Sequence, residues 1–155
     1  EEIPLELTQV IYEELLIIQS KAQTKRQILK ELTKLMTDKG VITDTESFLD
    51  DVYQREAEGA TGIGQGIAIP HGKSPSVRQT VIAAATLADP IPWETLDDRP
   101  VEIVILFAVQ EGDKNKGHLQ LLQKIAVLLA RERFIKELKK AASIEELYIL
   151  LTQND

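Results

Sequence analysis

Residues 101–109 read VEIVILFAV, and residues 81–87 read VIAAATL. Both runs are apolar and contain β-branched side chains with almost no polar interruption, which is typical of strands covered on both faces. We therefore predict that they are the central strands of a β-sheet. Between them, Pro90, Pro92 and Pro100 predict an irregular connection, because proline fixes φ and lacks the backbone N–H; this connection contains the one tryptophan of the chain, Trp93.

Helices are predicted on both sides of these strands along the chain. Apolar residues recur with helical spacing over residues 28–36, 48–53, 121–129 and 134–138, and Gly40 and Gly59 are expected to end the first two helices. Three capping-box spacings predict helix starts: Thr24 with Gln27, Thr43 with Glu46, and Ser143 with Glu146. A short apolar run over residues 15–18 predicts a strand. This order of elements predicts an α/β fold, a single-domain sandwich with a mixed central β-sheet flanked by helices, spanning residues 1–155.

The composition excludes several classes of function. The chain has 155 residues, 43% of them hydrophobic, which is enough for one core, and its net charge of -7 argues against a binder of the nucleic-acid backbone. It contains no cysteine, which excludes disulfides, thiolate zinc sites and cysteine nucleophiles. No apolar run approaches the roughly 20 residues of a membrane-spanning helix, and the acidic start lacks the basic region of a signal peptide. We therefore expect a cytoplasmic protein.

The stretch with chemical potential is TGIGQGIAIPHGK, residues 61–73. A Walker A loop places four residues between its first glycine and its Gly-Lys-Ser, whereas five residues, one of them a proline, separate Gly66 from Gly72. A dinucleotide-binding fingerprint follows a strand and precedes a helix, whereas these glycines follow a predicted helix and precede a predicted strand. Neither nucleotide-binding motif is present.

The remaining candidate in this stretch is His71, which lies between Pro70 and Gly72. Proline fixes the backbone and glycine permits the close approach of another molecule, so the side chain is expected at a surface. Imidazole has an ordinary pKa of about 6.5, so at neutral pH it is mostly an uncharged nucleophile. The spacing alone leaves an ordinary turn histidine about equally plausible. The second histidine, His118, begins a predicted helix and is equally compatible with a core or capping role.

Residues 55–73, REAEGATGIGQGIAIPHGK, closely resemble the active-site signature of the fructose/mannitol-type EIIA proteins of the sugar phosphotransferase system. The resemblance continues through residues 92–93, 96–98 and 118–119 to residues 142–147. One departure lies in the turn at residues 96–98, which reads Leu-Asp-Asp where the family usually has Leu-Asp-Gly. This departure affects the expected geometry of the turn rather than the chemistry.

The resemblance implies roles for individual residues and for partners. His71 matches the phosphorylated histidine, and Arg55 and His118 match the arginine and histidine that support it. Phosphoryl transfer needs in-line positioning and stabilisation of charge on the phosphoryl oxygens, which a guanidinium and an imidazole can supply. Supporting contacts from the loop are weaker candidates: Thr61, Gln65 and Gly72. The implied partners are HPr as phosphoryl donor and a cysteine of an EIIB component as acceptor, with no metal or nucleotide cofactor.

Three other functions remain open at this stage. Nitrogen-type EIIA proteins carry nearly the same histidine loop and signal through their phosphorylation state. A regulatory module of a transcription activator would need a basic DNA-binding segment, which this chain lacks. A zinc hydrolase using His71, His118 and a carboxylate is formally possible, although no closely spaced pair of ligands supports it.

Overall fold

The computed structural model describes residues 6–112 and 116–153. After a short 3-10 helix at Leu7–Gln9, its elements are β1 (Ile11–Ser20), α1 (Lys25–Lys39), α2 (Thr45–Glu58), β2 (Gly62–Gly64), β3 (Ile67–Ala68), β4 (His71–Ser74), β5 (Val81–Ile91), β6 (Val101–Gln110), α3 (Lys116–Leu129), α4 (Glu132–Lys140) and α5 (Ile144–Thr152). In the part of the chain that is described, no helix is long and apolar enough to cross a membrane.

The strands form one six-stranded mixed sheet in the order β1-β5-β6-β3-β2, with β4 also paired to β6. β5 and β6 are antiparallel, whereas β1 runs parallel to β5, and β3 and β4 run parallel to β6. The two apolar runs that we assigned to central strands are therefore central. The predicted α/β sandwich with a mixed sheet flanked by helices is confirmed.

The sheet separates two hydrophobic cores. The first core packs α1 and α2 against one face, around Leu29, Leu32 and Phe48, all fully buried. The second core packs the 3-10 helix and α3 to α5 against the other face, around Phe107 and Leu138. A residue that lies at the edge of the sheet can therefore be reached by helices of both layers.

The helix starts follow the predicted caps with one exception. The side chains of Thr24 and Ser143 accept the backbone N–H groups of Gln27 and Glu146, as their spacing predicts. The assignment of Thr43 as the cap of the second helix was wrong. Asp44 takes this position, since its carboxylate accepts the N–H of Ser47. Thr43 instead donates to the carbonyl of Ser76.

Three strand boundaries differ from the predictions. The strand predicted at residues 15–18 extends over Ile11–Ser20. β5 continues through Pro90, which we had placed in an irregular connection, because its pairing with β6 is interrupted between Thr86 and Ile91 and Pro90 needs no ladder hydrogen bond there. The glycine-rich residues 62–64, predicted as loop, form the edge strand β2.

Candidate functional site

His71 is the first residue of β4, which continues the line of β3 along β6. Ile67 pairs with Ile103 and His71 pairs with Phe107, at the same offset, so the two short strands are one strand interrupted at residues 69–70. Pro70 explains the interruption because it has no N–H to donate, although its carbonyl still accepts the N–H of Phe107 at 3.0 Å. The sheet thus fixes the backbone on which His71 stands.

Both nitrogens of the His71 ring have defined partners. The Nε of Arg55 lies 3.2 Å from Nε2, and Nδ1 lies 3.3 Å from the carbonyl oxygen of Ile69. A guanidinium can only donate, so Nε2 must be the acceptor and must carry the lone pair. The proton of the neutral ring is then on Nδ1, where the carbonyl of Ile69 accepts it. This arrangement makes Nε2 the nucleophilic nitrogen.

The surroundings of His71 keep its ring uncharged. Burial is the main cause that lowers the pKa of His71 below its ordinary value, and the positive charge of Arg55 and the electrostatic influence of His118 lower the pKa further. The hydrogen bond to the carbonyl of Ile69 and the negative charge of Glu56 act in the opposite direction without reversing the shift. The half-buried ring is therefore held as a neutral nucleophile at neutral pH.

Helices from both layers contribute to the surroundings of His71. Arg55 lies in the last turn of α2. Its Nη1 donates to the carbonyl of Gly59 at 3.1 Å, and this contact orients the guanidinium so that Nε faces the His71 ring. His118 lies in the first turn of α3, in the opposite layer, and is half-buried. The structure therefore places Arg55 in contact with His71, and His118 near enough to lower the pKa of the His71 ring.

Thr61 lies directly before β2, and its side chain does not face solvent. It is 2% exposed, and its hydroxyl donates to Oε2 of Glu56 at 2.6 Å while it accepts Nε1–H of Trp93 at 3.0 Å. Glu56 also forms an ion pair with Lys25, which in turn contacts Glu94 at 2.8 Å. The Thr61 hydroxyl therefore acts as a donor and as an acceptor to other side chains of this protein.

Gln65 lies at the tip of the turn between β2 and β3. Its φ is 57°, in the left-handed region, and its neighbours Gly64 and Gly66 also have positive φ. The carboxylate of Asp97 accepts the Gln65 backbone N–H at 2.9 Å and the N–H of Arg99 at 3.1 Å. The turn is thereby tied to the β5–β6 connection, while Gln65 itself remains exposed.

Gly72 permits a close approach, but the approaching element is α2. A Cβ at this position would lie 2.8 Å from Cγ2 of Val52 and 3.1 Å from Cε1 of Phe48. From the sequence we expected Gly72 to permit the close approach of another molecule. The absence of a side chain instead allows α2 to pack tightly on β4, which helps to bring Arg55 close to His71.

Sequence reasoning missed Glu56 and the function of Trp93 in this region. Glu56 stands directly after Arg55 in the quoted signature, but nothing in its spacing indicates that its side chain turns inward. Lys25, which pairs with Glu56, and Trp93, which donates to Thr61, are distant in sequence and come to this region only when α1 and the β5–β6 connection pack on α2. The one available signal was the position of Glu56, a charged residue directly after Arg55 inside that signature.

The grouping of possible metal ligands and a surface groove are two further features of the described residues. Within residues 6–112 and 116–153, no three histidine or carboxylate side chains are grouped so that they could hold a metal ion. A surface groove of about 470 Å³ lies along α1 and is lined by Lys30, Lys34 and Thr45 among others, away from His71. The arrangement around His71 suits the exchange of a small group with a protein that docks at the surface.

Comparisons with known proteins agree with this chemistry. The family model described as "Phosphoenolpyruvate-dependent sugar phosphotransferase system, EIIA 2" matches residues 9–154. The chain is 32% identical over 146 residues to the PTS system 2-O-alpha-mannosyl-D-glycerate-specific EIIABC component of Escherichia coli strain K12, covering 94% of this chain and 22% of that protein. The chain therefore spans less than a quarter of the length of that relative.

Other similar proteins are nitrogen regulatory proteins. A nitrogen regulatory protein of Klebsiella oxytoca is 33% identical, with 96% of this chain and 91% of that protein covered. Among solved structures, the nitrogen regulatory protein IIA-Ntr of Neisseria meningitidis superposes with a TM-score of 0.85 at 25% identity, covering 93% of this chain and 97% of that one.

Proposed function

The chain belongs to the EIIA 2 family of the phosphoenolpyruvate-dependent sugar phosphotransferase system, and we propose that it carries a phosphoryl group on Nε2 of His71. The observation that carries this proposal is the 3.2 Å contact between the Nε of Arg55 and Nε2 of His71. It leaves the lone pair on Nε2 and places a permanent positive charge beside the atom that would bind phosphorus. We place the reaction in the cytoplasm, with residues 1–155 acting as one domain.

The reaction has two steps, each balanced by one bond formed and one bond broken. Nε2 of His71 attacks the phosphorus of a phosphohistidine on HPr, and the imidazole of HPr leaves as the new N–P bond forms. A cysteine thiolate of an EIIB component then attacks the same phosphorus, and Nε2 of His71 leaves. Throughout, the proton stays on Nδ1, which donates it to the carbonyl of Ile69, so the ring returns to its starting tautomer.

Arg55 and His118 stabilise the charge that develops during transfer. When Nε2 bonds to phosphorus, the guanidinium of Arg55 loses its acceptor and turns to the phosphoryl oxygens, for which its planar set of donors is suited. His118 approaches from the opposite layer and offers a further hydrogen bond or charge. Such groups stabilise the transition state without forming covalent bonds.

The partners must reach His71 in turn across the same surface. The sequence offers Ile63, Ile67 and Ile69 as candidate apolar contacts for them, with burial in the core expected for Ile67 and Ile69. Ile63 is 37% exposed and available, whereas Ile67 is fully buried and Ile69 half-buried. Leu96 and Leu119 are also exposed, the first beside β2 and the second next to His118. We propose that these exposed side chains contact HPr and EIIB, as apolar residues do at transient interfaces.

The proposal is tested by incubating the protein with phosphoenolpyruvate and the general phosphotransferase components and measuring its mass. We expect a gain of one phosphoryl group that is lost in acid. His71→Ala should show no gain, whereas His118→Ala, the matched change at the other histidine, should still be phosphorylated but more slowly. A mass gain that persists in His71→Ala would overturn the assignment.

A nitrogen-regulatory role is the second candidate. The 33% identity over 96% of the chain to a nitrogen regulatory protein and the TM-score of 0.85 with IIA-Ntr favour it. The same phosphorylated residue would serve both roles, so the discriminating measurement follows phosphorylation. Transfer from phosphorylated His71 to a cysteine of an EIIB component supports transport, whereas binding to a transporter or kinase that depends on the phosphorylation state supports regulation.

A further inference from the structure

A chain of hydrogen bonds links a buried carboxylate to the ring of His71. It begins at Glu56, whose side chain is only 6% exposed and whose Oε1 pairs with Nζ of Lys25. The other carboxylate oxygen, Oε2, accepts the hydroxyl proton of Thr61 at 2.6 Å. A buried carboxylate persists where it is both paired and hydrogen-bonded, and Glu56 meets both conditions.

The hydroxyl of Thr61 has two hydrogen-bond partners. It donates to Glu56 and accepts Nε1–H of Trp93 at 3.0 Å. Lys25 completes the cluster, because its ammonium lies 4.9 Å from the centre of the Trp93 ring in addition to its ion pair with Glu56. The rotamer and the backbone of Thr61 are thus fixed by α1, by α2 and by the β5–β6 connection.

The backbone of Thr61 passes this constraint to the histidine. Its carbonyl accepts the N–H of Ile69 at 3.0 Å, and the carbonyl of Ile69 is the group that faces Nδ1 of His71 at 3.3 Å. Pro70 follows Ile69, and its own carbonyl is held by the N–H of Phe107. The carbonyl that selects the tautomer of His71 is therefore supported on one side by β6 and on the other by Thr61.

We propose that Thr61 and Glu56 are positioning residues that keep the proton of the neutral His71 ring on Nδ1 and the lone pair on Nε2. Neither side chain needs to touch the phosphoryl group, because both act through the backbone of Ile69. The statement about the tautomer concerns the free protein. The importance of that tautomer for phosphoryl transfer rests on the proposed function. The negative charge of Glu56 has a second, weaker effect, since it raises the pKa of His71 and opposes Arg55.

The first experiment compares Thr61→Val with Thr61→Ser in the free protein. Valine keeps the shape of threonine but neither donates to Glu56 nor accepts from Trp93, whereas serine keeps the hydroxyl. Nitrogen-15 NMR of the His71 ring reports which nitrogen carries the proton. We expect the proton on Nδ1 in the wild type and in Thr61→Ser. In Thr61→Val we expect a measurable Nε2-protonated population, because the contact with Arg55 then favours the Nδ1-protonated ring without full support from the carbonyl of Ile69.

Thr33→Val is the matched control for this change. Thr33 is also a fully buried threonine, and among the described residues its hydroxyl makes no hydrogen bond. The same hydroxyl is replaced by a methyl group, but in α1 rather than at the residue that precedes β2. The His71 tautomer should remain that of the wild type in Thr33→Val. A folded Thr61→Val protein with its proton still on Nδ1 would overturn the proposal.

The second experiment removes the acceptor at the other end and covers the case in which Thr61→Val does not fold. Glu56→Ala is read against Glu58→Ala, which lies two residues further along α2 and is exposed. We expect the shift in tautomer only in Glu56→Ala, and an unchanged tautomer in folded Glu56→Ala would contradict the proposal.

The third measurement is the rate at which each variant accepts a phosphoryl group. At metal sites, removing an outer partner that orients a ligating histidine reduces metal affinity or activity about 10- to 100-fold, and we take the lower end of that range for His71. We expect a loss of about tenfold in Thr61→Val, recovered in Thr61→Ser and absent in Thr33→Val. If the wild type accepts no phosphoryl group while the tautomer still depends on Thr61, the proposed function fails and the hydrogen-bonded chain stands. If transfer occurs but the tautomer and the rate ignore Thr61, only the present inference fails.

Discussion

The two neighbours of β6 are built in different ways. On one side lies β5, whose residues 81–87 are all buried and pair with β6 without a break as far as Thr86. On the other side lies the β2–β4 segment, residues 62–74, in which three short strands alternate with turns and several residues have left-handed backbone conformations. β5 is held by apolar burial, whereas the β2–β4 segment depends on directed hydrogen bonds from side chains.

This difference separates stability from chemistry on either side of one strand. A run of buried apolar residues has a large effect on the free energy of unfolding but offers no polar atom to a reaction. The β2–β4 segment exposes backbone and a half-buried imidazole at the sheet edge. Asp97 holds its turn at Gln65, and Glu56 and Trp93 hold Thr61, the residue that precedes the segment. Changes in the two regions should therefore alter different measured quantities.

The largest effect is expected from a change in β5. Ile82 is fully buried, so Ile82→Ala should lower the free energy of unfolding by about 2–5 kcal/mol through lost burial and the cavity that remains. Chemical denaturation measures this change. Phosphoryl acceptance by the folded fraction should stay close to that of the wild type.

Ile149→Ala is the matched control, because the same atoms are removed from a side chain in α5 that is 50% exposed. Its effect should be below about 1 kcal/mol, since alanine also favours the helix. Equal losses in the two variants would show that burial in β5 does not dominate stability.

The next effect concerns the β2–β4 segment and the helix that reaches it. Arg55→Ala should slow phosphoryl acceptance about 10²- to 10³-fold, the range for losing one donor that stabilises transition-state charge. It should also raise the pKa of His71, because it removes a positive charge and admits water to a ring whose pKa burial lowers. The ring then protonates at a higher pH, and the acidic limb of the pH–rate profile moves upward. NMR titration of His71 measures this shift directly.

Arg133→Ala serves as the control for Arg55→Ala. The side chain of Arg133 is 94% exposed and pairs only at 3.4 Å with Glu137 of its own helix among the described ion pairs. Neither the rate nor the His71 pKa should change in this variant. An unchanged or lowered His71 pKa in Arg55→Ala would contradict the charge arrangement described above.

The central strands and two of the helix starts were easier to predict from the sequence than the β2–β4 segment, for a physical reason. The apolar runs of β5 and β6 and the caps at Thr24 and Ser143 are local patterns, and local patterns can be read without knowing the fold. β2 could not be found in this way, because its three residues, Gly-Ile-Gly, carry no strand pattern and become a strand only by pairing with the equally short β3. The shift of the helix cap from Thr43 to Asp44 is a one-residue choice between two good capping residues.

The candidate site was predictable in its members but not in its geometry. Motif resemblance supplied His71, Arg55 and His118, whereas the chain of contacts from Glu56 through Thr61 depends on how α1, α2 and the β5–β6 connection pack. The role of Gly72 was also misplaced for this reason: a glycine indicates a close approach, but only the fold shows that α2 is what approaches. Spacing along a chain does not encode such contacts.

The smallest effect is expected in the turn that supports Gln65. Asp98 has a φ of 59°, the left-handed conformation that glycine adopts without strain, and it stands where the family usually has glycine. Asp98→Gly should raise the free energy of unfolding by about 0.5–1 kcal/mol, because the relief of strain exceeds the added flexibility of the unfolded chain. Thermal or chemical denaturation resolves a change of this size.

The opposite sign is expected for the same substitution in β5. Asp89 is likewise exposed but lies within the strand and is not among the residues with positive φ, so Asp89→Gly should destabilise the protein by about 0.5–1 kcal/mol. A pair of aspartates that respond in opposite directions would show that the turn beside the β2–β4 segment is strained where β5 is relaxed. Destabilisation in both variants would mean instead that Asp98 contributes a contact that outweighs its backbone strain.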